Sequence, residues 1–182
     1  LAWQPKNFVA IKNPISENYT RLVTTLQPHL LKAVGDNSTH HSQLRFFEWG
    51  RVWHIETEDI VEQKSVSGIC FDRLGLDFYA GKALLVRMFE ELHMDVTWIA
   101  SLDEVRTGEG VDYSLSSPYQ TAVLMHENKS IGIAGMVDEG VINALSPAGG
   151  AAFIFEIDAD YLLEYKRPAV RFEPLSKYPS VR

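Results

Sequence analysis

Hydrophobic and polar residues alternate most clearly across residues 44–53, whose aromatic and β-branched side chains suit a pleated strand. Because successive side chains on a strand point to opposite faces, these ten residues divide into two sets. One set is Leu44, Phe46, Glu48, Gly50 and Val52, and the other is Arg45, Phe47, Trp49, Arg51 and Trp53. Each set mixes apolar bulk with charge, as in a sheet covered by helices on one side and bordering a cleft on the other. We predict a core strand in which Glu48 and Arg51 lie near buried surface and need partners; a substrate-facing strand of an enzyme is the alternative.

Helices are predicted where apolar residues recur at helical spacing behind a residue that suits a helix start. Pro28 would occupy the first position of one helix. Two aspartates would cap further helices, Asp77 one over residues 78–93 and Asp138 one through residue 145. Asp158 and Asp160 would open another helix through about residue 165, where the helix dipole favours acids. Strands outnumber helices and mostly follow in hairpin order. We therefore predict an α+β fold, a mainly antiparallel sheet flanked by helices.

The composition is that of an ordinary globular domain. The chain has 182 residues, 46% hydrophobic and 23% charged, which allows one sizeable core and is short for two domains. No apolar run approaches the roughly 20 residues that cross a bilayer, and the first residues do not resemble a signal peptide. The single cysteine, Cys70, lies in an apolar strand pattern and is interpreted as a small buried residue in a reducing compartment. We expect a cytoplasmic protein with no membrane partner.

Charge is distributed unevenly along the chain. The formal net charge of −7 argues against a free-standing nucleic-acid binder, because such proteins place cations on phosphates. Residues 166–182 nevertheless carry five cations against one anion and contain three prolines, so this tail is predicted to be extended. The abrupt start and end of the pattern lead us to expect a piece of a longer chain. The tail is then either a solvated linker or a segment that connects to a module that binds a polyanion.

Six segments, in order, resemble the beta chain of bacterial phenylalanyl-tRNA synthetase. They are NPIS (13–16) with RLVTTLQPHLL (21–31), FEWGRVW (47–53), DFYAGK (77–82), IGIAGMV (131–137), FEID (155–158) and FEPLSKYPSVR (172–182). Any one of them is weak, whereas all six in order across nearly the whole chain are fairly specific.

The resemblance implies a class II synthetase-like core domain over residues 1–165, without catalytic activity, and a basic linker over residues 166–182 toward a downstream anticodon-binding domain. It implies packing on a catalytic alpha chain in a complex of two alpha and two beta chains, which attaches phenylalanine to its tRNA. Neighbouring domains would contact the tRNA. ATP and magnesium would belong to the parent complex, with no cofactor in this fragment. We expect the alpha-chain interface at Arg21, Leu26, Leu30 and Leu31.

Two positions oppose amino-acid activation by this domain. Class II sites hold ATP with cations, because charge develops on the phosphates in the transition state. By resemblance, His54 stands where an arginine is needed, two residues before Glu56, and a neutral imidazole does not replace a bidentate guanidinium. Asp158 and Asp160 stand at the helix start where an arginine would follow, and acids there repel a triphosphate. We therefore expect a degenerate class II site at these four residues.

A competing hypothesis is a free-standing enzyme, or an amino-acid-sensing domain, that uses His54, Glu56 and Glu48 in a cleft. General acid–base chemistry needs such groups within hydrogen-bonding reach. His54 and Glu56 fall on one strand face, so the geometry is feasible, although such pairs are commonly structural. No set of His, Cys, Asp and Glu shows metal-ligand spacing, so no metal site is expected.

Overall fold

The computed structural model describes residues 8–17, 19–57, 59–100 and 115–168. These residues form an antiparallel sheet with helices on both of its faces, which confirms the predicted α+β class. The elements in chain order are α1 Gln27–Asn37, β1 Gln43–Glu56, β2 Asp59–Asp72, α2 Phe78–Leu92, β3 Thr97–Ile99, β4 Ser116–His126, β5 Lys129–Val137, α3 Glu139–Leu145, β6 Ala151–Asp158 and α4 Ala159–Glu164.

Within the described residues the sheet has six strands in the order β1-β2-β6-β5-β4-β3, and every neighbouring pair is antiparallel. Hairpin neighbours explain most of this order, but β6, the last strand in sequence, is inserted between β2 and β5. The longest ladder joins β1 to β2 without a bulge, from the Gln43–Asp72 pair to the Glu56–Asp59 pair. The register is therefore fixed along the whole of β1.

Two apolar cores lie on opposite faces of the sheet. On the face that we call the α1 face, α1 and α3 pack on residues such as Ile69 and Ile154. On the α2 face, α2 packs on residues such as Phe153 and Ile157, and α4 borders the same core. Even-numbered residues of β1 point to the α1 face, where Leu44 and Val52 are buried, as the alternation predicts.

The structure confirms the predicted caps at Asp77 and Asp138, and it shows that Asp158 also caps the helix it was predicted to open. The side-chain carboxylates of Asp77, Asp138 and Asp158 accept hydrogen bonds from backbone N–H groups at 2.7, 2.8 and 2.9 Å. Each bond satisfies a donor that the first helical turn leaves unpaired. Pro28 is the second residue of α1, one position later than predicted. The part of the predicted linker from residue 169 to 182 lies outside the described residues.

Cys70 is half-buried on the α2 face of β2 rather than fully enclosed. Burial raises the pKa of its thiol, and the nearby Arg45 guanidinium opposes this increase. The thiol therefore gives up its proton less readily than an exposed cysteine, which fits a packing role.

Close packing between α2 and the sheet depends on a glycine. A Cβ on Gly81 would overlap the ring of Phe153, which is 2% exposed at the centre of the α2-face core. Gly35, in α1, offers a contrast, because its added Cβ would meet only the tip of Leu145 at 3.2 Å. Glycine-to-alanine substitution at the two positions therefore compares a site where the added methyl group overlaps a buried ring with a site where the neighbouring side chain can move.

We expect Gly81→Ala to lower the free energy of unfolding by about 1–3 kcal/mol, because overpacking outweighs the gain in helix propensity. Gly35→Ala is the matched control. It gains the same propensity, of about 1 kcal/mol at most, and should be near neutral or stabilising. Urea denaturation of both variants measures the difference. Equal effects of the two substitutions would contradict this packing account.

Candidate functional site

The central polar cluster of the sheet is built around Glu156, on the α1 face of β6. Its carboxylate accepts hydrogen bonds from the hydroxyl of Thr25, from the Ser65 hydroxyl at 2.9 Å and from the Leu26 backbone N–H at 3.2 Å. The backbone of Gln27 also contributes a hydrogen bond. Although part of the Glu156 residue remains exposed, its carboxyl group is enclosed by these donors.

Burial raises the pKa of Glu156 above its ordinary value, and the hydrogen bonds from Thr25, Ser65 and the backbone oppose the increase only in part. The group therefore holds its proton more tightly in the folded chain than in the unfolded one. Four donors that converge on one carboxylate leave no free donor for a ligand at this point. The cluster is arranged to fix protein segments to each other.

The segment that precedes α1 is held across the sheet by this cluster and by two further contacts. The backbone N–H of Trp53 donates to the Val23 carbonyl at 2.7 Å. Leu26, 2% exposed, fills the space above Gly50, where a Cβ would come within 2.9 Å of its side chain. Residues 23–27 therefore occupy the α1 face over β1, β2 and β6.

His54 and Glu56 lie together at the end of β1. Their side chains are 2.9 Å apart, from Nε2 to Oε1, with the imidazole 11% exposed and the carboxylate 52% exposed. The imidazole thus already has an acidic partner within its own strand. A ring held in this way offers no positive fork to a phosphate.

Glu48 has a different partner. Its Oε1 lies 3.3 Å from Nδ1 of His29, at the start of α1. Since six residues of extended strand separate Glu48 from His54, their Cα atoms are about 20 Å apart. The structure therefore brings His54 and Glu56 together but does not bring Glu48 within reach of them. Arg51, the other charge expected to need a partner, lies 3.4 Å from Glu62 and is largely exposed.

Asp158 and Asp160 have separate structural roles around the start of α4. Asp158 caps the helix through its bond to the Tyr161 N–H. Asp160 accepts from the Lys64 backbone N–H at 2.8 Å and pairs with the Lys64 ammonium at 3.1 Å. These bonds, the backbone one first, lower the pKa of Asp160. Both positions at this helix start therefore carry an acid and not a cation.

The α1 face carries negative charge where β1, β2 and β6 meet. The register and the alternation place on it, beside the enclosed Glu156, four acidic side chains that solvent reaches: Glu48, Glu56, Asp59 and Asp158. The three basic residues of these strands, Arg45, Arg51 and Lys64, belong to the α2 face. The face therefore has the wrong charge for a polyphosphate.

The residues expected at a subunit interface are mostly internal. Leu26, Leu30 and Leu31 are 2%, 4% and 0% exposed and pack within this chain, so they offer no surface to a partner. Leu30 and Leu31 lie on the buried side of α1, and an apolar helix face of this kind is common to core packing and to interfaces. Arg21 is exposed, and its guanidinium lies 4.6 Å from the centre of the Phe8 ring.

The family model described as the phenylalanyl tRNA synthetase beta chain CLM domain matches residues 2–159. The chain belongs to this family. Among its relatives, the chloroplastic phenylalanine–tRNA ligase beta subunit of Porphyra purpurea is 24% identical, covering 97% of this chain and 26% of that protein. The beta subunit of Thermotoga maritima is 27% identical, covering 96% and 22%, and that of Francisella tularensis is 27% identical, covering 95% and 22%. The chain spans about a quarter of the length of these relatives.

Solved structures agree on the fold of this beta-chain domain. Two structures of pyrrolysyl-tRNA synthetase from Desulfitobacterium hafniense give TM-scores of 0.55 and 0.58, over 79% and 86% of this chain and 49% and 52% of those chains. Their identities of 14% and 11% support a common fold alone. The predicted class II synthetase-like architecture is therefore confirmed.

In the described part of this beta-chain domain, two kinds of feature are absent. No three His, Cys, Asp or Glu side chains within it come together in a group that would hold a metal ion. None of the helices within it is long and apolar enough to span a bilayer.

Sequence reasoning did not single out the Thr25–Ser65–Glu156 cluster. Its signal is one acidic residue within the otherwise apolar run 151–157 of β6. A charge in such a run needs a buried partner. The partners lie 131 and 91 residues away in sequence, so only the fold identifies them.

Glu156→Gln is expected to make the free energy of unfolding less dependent on pH. Since the pKa of Glu156 is raised on folding, the native protein binds more protons than the unfolded chain above pH 4.5, and its stability falls as pH rises. Between the two pKa values the slope is at most about 1.4 kcal/mol per pH unit. Glutamine does not titrate, so this part of the slope should vanish, as urea denaturation across weakly acidic pH will measure.

Glu90→Gln is the matched control, because Glu90 is exposed on α2. It should keep the wild-type pH profile. Identical profiles for Glu156→Gln and Glu90→Gln would show that folding does not perturb Glu156.

Proposed function

We propose that this chain is a non-catalytic structural domain of a phenylalanyl-tRNA synthetase beta chain. It packs on the catalytic alpha chain, in a cytoplasmic complex of two alpha and two beta chains, and positions neighbouring domains that contact the tRNA. ATP and magnesium act in the parent complex, which attaches phenylalanine to its tRNA. Family membership supports the assignment to the beta chain.

The charge of the α1 face is the observation that carries the non-catalytic role. An adenylate-forming site needs cations where charge develops on the phosphates. The strands β1, β2 and β6 instead present carboxylates on this face and direct their lysine and arginines to the other. His54 is paired with Glu56, and residues 23–27 lie across the same face. Each feature disfavours a bound triphosphate.

The enzyme or amino-acid-sensing alternative receives no support from the geometry. It required His54, Glu56 and Glu48 to act together, and Glu48 is about six strand residues away and paired with His29. A His-Glu pair alone lacks a third group to orient it or to stabilise charge.

The proposal predicts that His54→Ala and Asp160→Asn, made in the full-length beta chain, leave kcat and KM for aminoacylation by the assembled complex unchanged. Neither residue would touch ATP, so neither loss removes transition-state stabilisation. Removing one catalytic donor typically lowers kcat by about 100–1,000-fold, and a loss of that size would contradict the proposal.

Two binding measurements complete this test. Full-length beta chain should co-purify with the alpha chain, and calorimetric titration of the beta chain alone with ATP should release no binding heat. A beta chain that forms no complex, or that binds ATP and supports pyrophosphate exchange by itself, would refute the proposed role.

A further inference from the structure

The backbone hydrogen bonds of β1 show which of its residues direct their N–H and C=O groups to the outer edge of the sheet. The N–H of Trp53 donates away from β2, to Val23, whereas the Ser42 carbonyl accepts from Arg73 on the β2 side. Both bonds assign odd-numbered residues of β1 to the outer edge and even-numbered residues to the β2 ladder. Because the β1–β2 register is unbroken, this alternation between odd-numbered and even-numbered residues holds along the whole strand.

Three consecutive odd-numbered residues at this edge lack backbone partners in the part of the chain that the structure describes. The outward N–H and C=O groups of Arg45, Phe47 and Trp49 have no such partner there. The segment before α1 pairs only farther along, at Trp53. An open edge of this kind is a ready template for another strand, and soluble proteins usually cover or blunt such edges.

The side chains of the same residues are exposed on the α2 face. Phe47 is 80% exposed and Trp49 is 50% exposed, side by side on one strand face. Arg45 and Arg51 lie at either end of the two rings, and both are exposed, with Glu62 beside Arg51. The strip thus presents two aromatic rings between two cations.

We propose that this strip, residues 45–51 of β1, takes up an extended segment of another polypeptide as a seventh strand. Unpaired N–H and C=O groups at alternate residues select an extended backbone. The flanking arginines select carboxylates, and the rings between them select apolar side chains. The inference rests on the proposed function, under which the other polypeptide is the catalytic alpha chain.

Charge disfavours two other occupants. A second copy of this chain would bring its own Arg45 and Arg51 into the strip, so four guanidinium groups would crowd one short ladder. The tail of this chain, residues 166–182, carries five cations against one anion and would be repelled as well. An acidic strand from a different chain meets neither obstacle.

The test uses full-length beta chain, alone and in complex with the alpha chain. Residue-resolved amide hydrogen exchange should show the N–H groups of Phe47 and Trp49 exchanging rapidly in the free beta chain and becoming protected in the complex. The even-numbered Phe46 and Glu48, which bond to β2, should be protected in both states. This alternation distinguishes strand addition from general shielding of the surface.

Two pairs of variants examine the chemistry of the strip. Trp49→Pro removes the outward N–H as well as the ring, so it should weaken alpha-chain binding more than Trp49→Ala, which keeps the donor. Arg45→Glu with Arg51→Glu should raise the Kd roughly tenfold or more. Tyr119→Asp is the control, because Tyr119 is 86% exposed on β4, four strands from β1. It should leave the Kd unchanged.

Each outcome decides the proposal. Protection at Phe47 and Trp49 together with weakened strip variants supports it. A wild-type complex in which these amides stay unprotected, or in which the strip variants bind like wild type, overturns strand addition and leaves the structural role standing. Protection already present in the free beta chain, from its own residues or from a second copy, also overturns it. If wild-type beta chain does not bind the alpha chain at all, both proposals fail.

Discussion

The buried hydrogen-bonded carboxylate of Glu156 is the constraint on which the arrangement of this domain depends. It joins three parts of the chain that are far apart in sequence: the segment before α1, the strand β2 and the strand β6. Enclosing a carboxyl group is costly unless donors surround it. The cluster therefore accepts only one arrangement of these segments, and it fixes where α1 begins.

This constraint also determines what covers the sheet where β1, β2 and β6 meet. The donors that surround Glu156 hold residues 23–27 over β1, β2 and β6, and Leu26 fills the space above Gly50. The face they cover carries carboxylates rather than the cations that a triphosphate needs. The Thr25 and Ser65 hydroxyl groups on this face are bound to Glu156. Under the proposed function the sheet acts as a support, and the outward surface of β1 is where the partner chain is proposed to bind.

Local structure was largely predictable from the sequence because its determinants are local. Alternation across residues 44–53 identified the long strand and its two faces, and Asp77, Asp138 and Asp158 marked helix starts through a single hydrogen bond each. The order of strands was not predictable in this way. The insertion of β6 between β2 and β5 depends on pairing between residues about ninety positions apart, as Ser67 and Glu156 show.

In the candidate site, too, local features were predictable from the sequence and features that depend on the fold were not. The resemblance of residues 53–56 to a class II motif drew attention to His54, and the structure gives it a neighbour in Glu56. The resemblance placed Leu26, Leu30 and Leu31 at a subunit interface, but apolar side chains serve a core or an interface equally, and burial places these leucines in the core. Phe47 and Trp49 are the reverse case, because they were expected to pack and are exposed. Their aromatic side chains suggested packing, whereas only the sheet order shows that they lie at an open edge.

A double-mutant cycle between Thr25→Val and Glu156→Gln tests the central constraint most directly. If the Thr25 hydroxyl and the Glu156 carboxyl hold the two segments together, the free energies of unfolding will be non-additive, with a coupling energy of about 0.5–3 kcal/mol. The single variants, the double variant and the wild type are compared by urea denaturation at one pH. Effects that add within error would contradict the account, because the two groups would then contribute to stability independently.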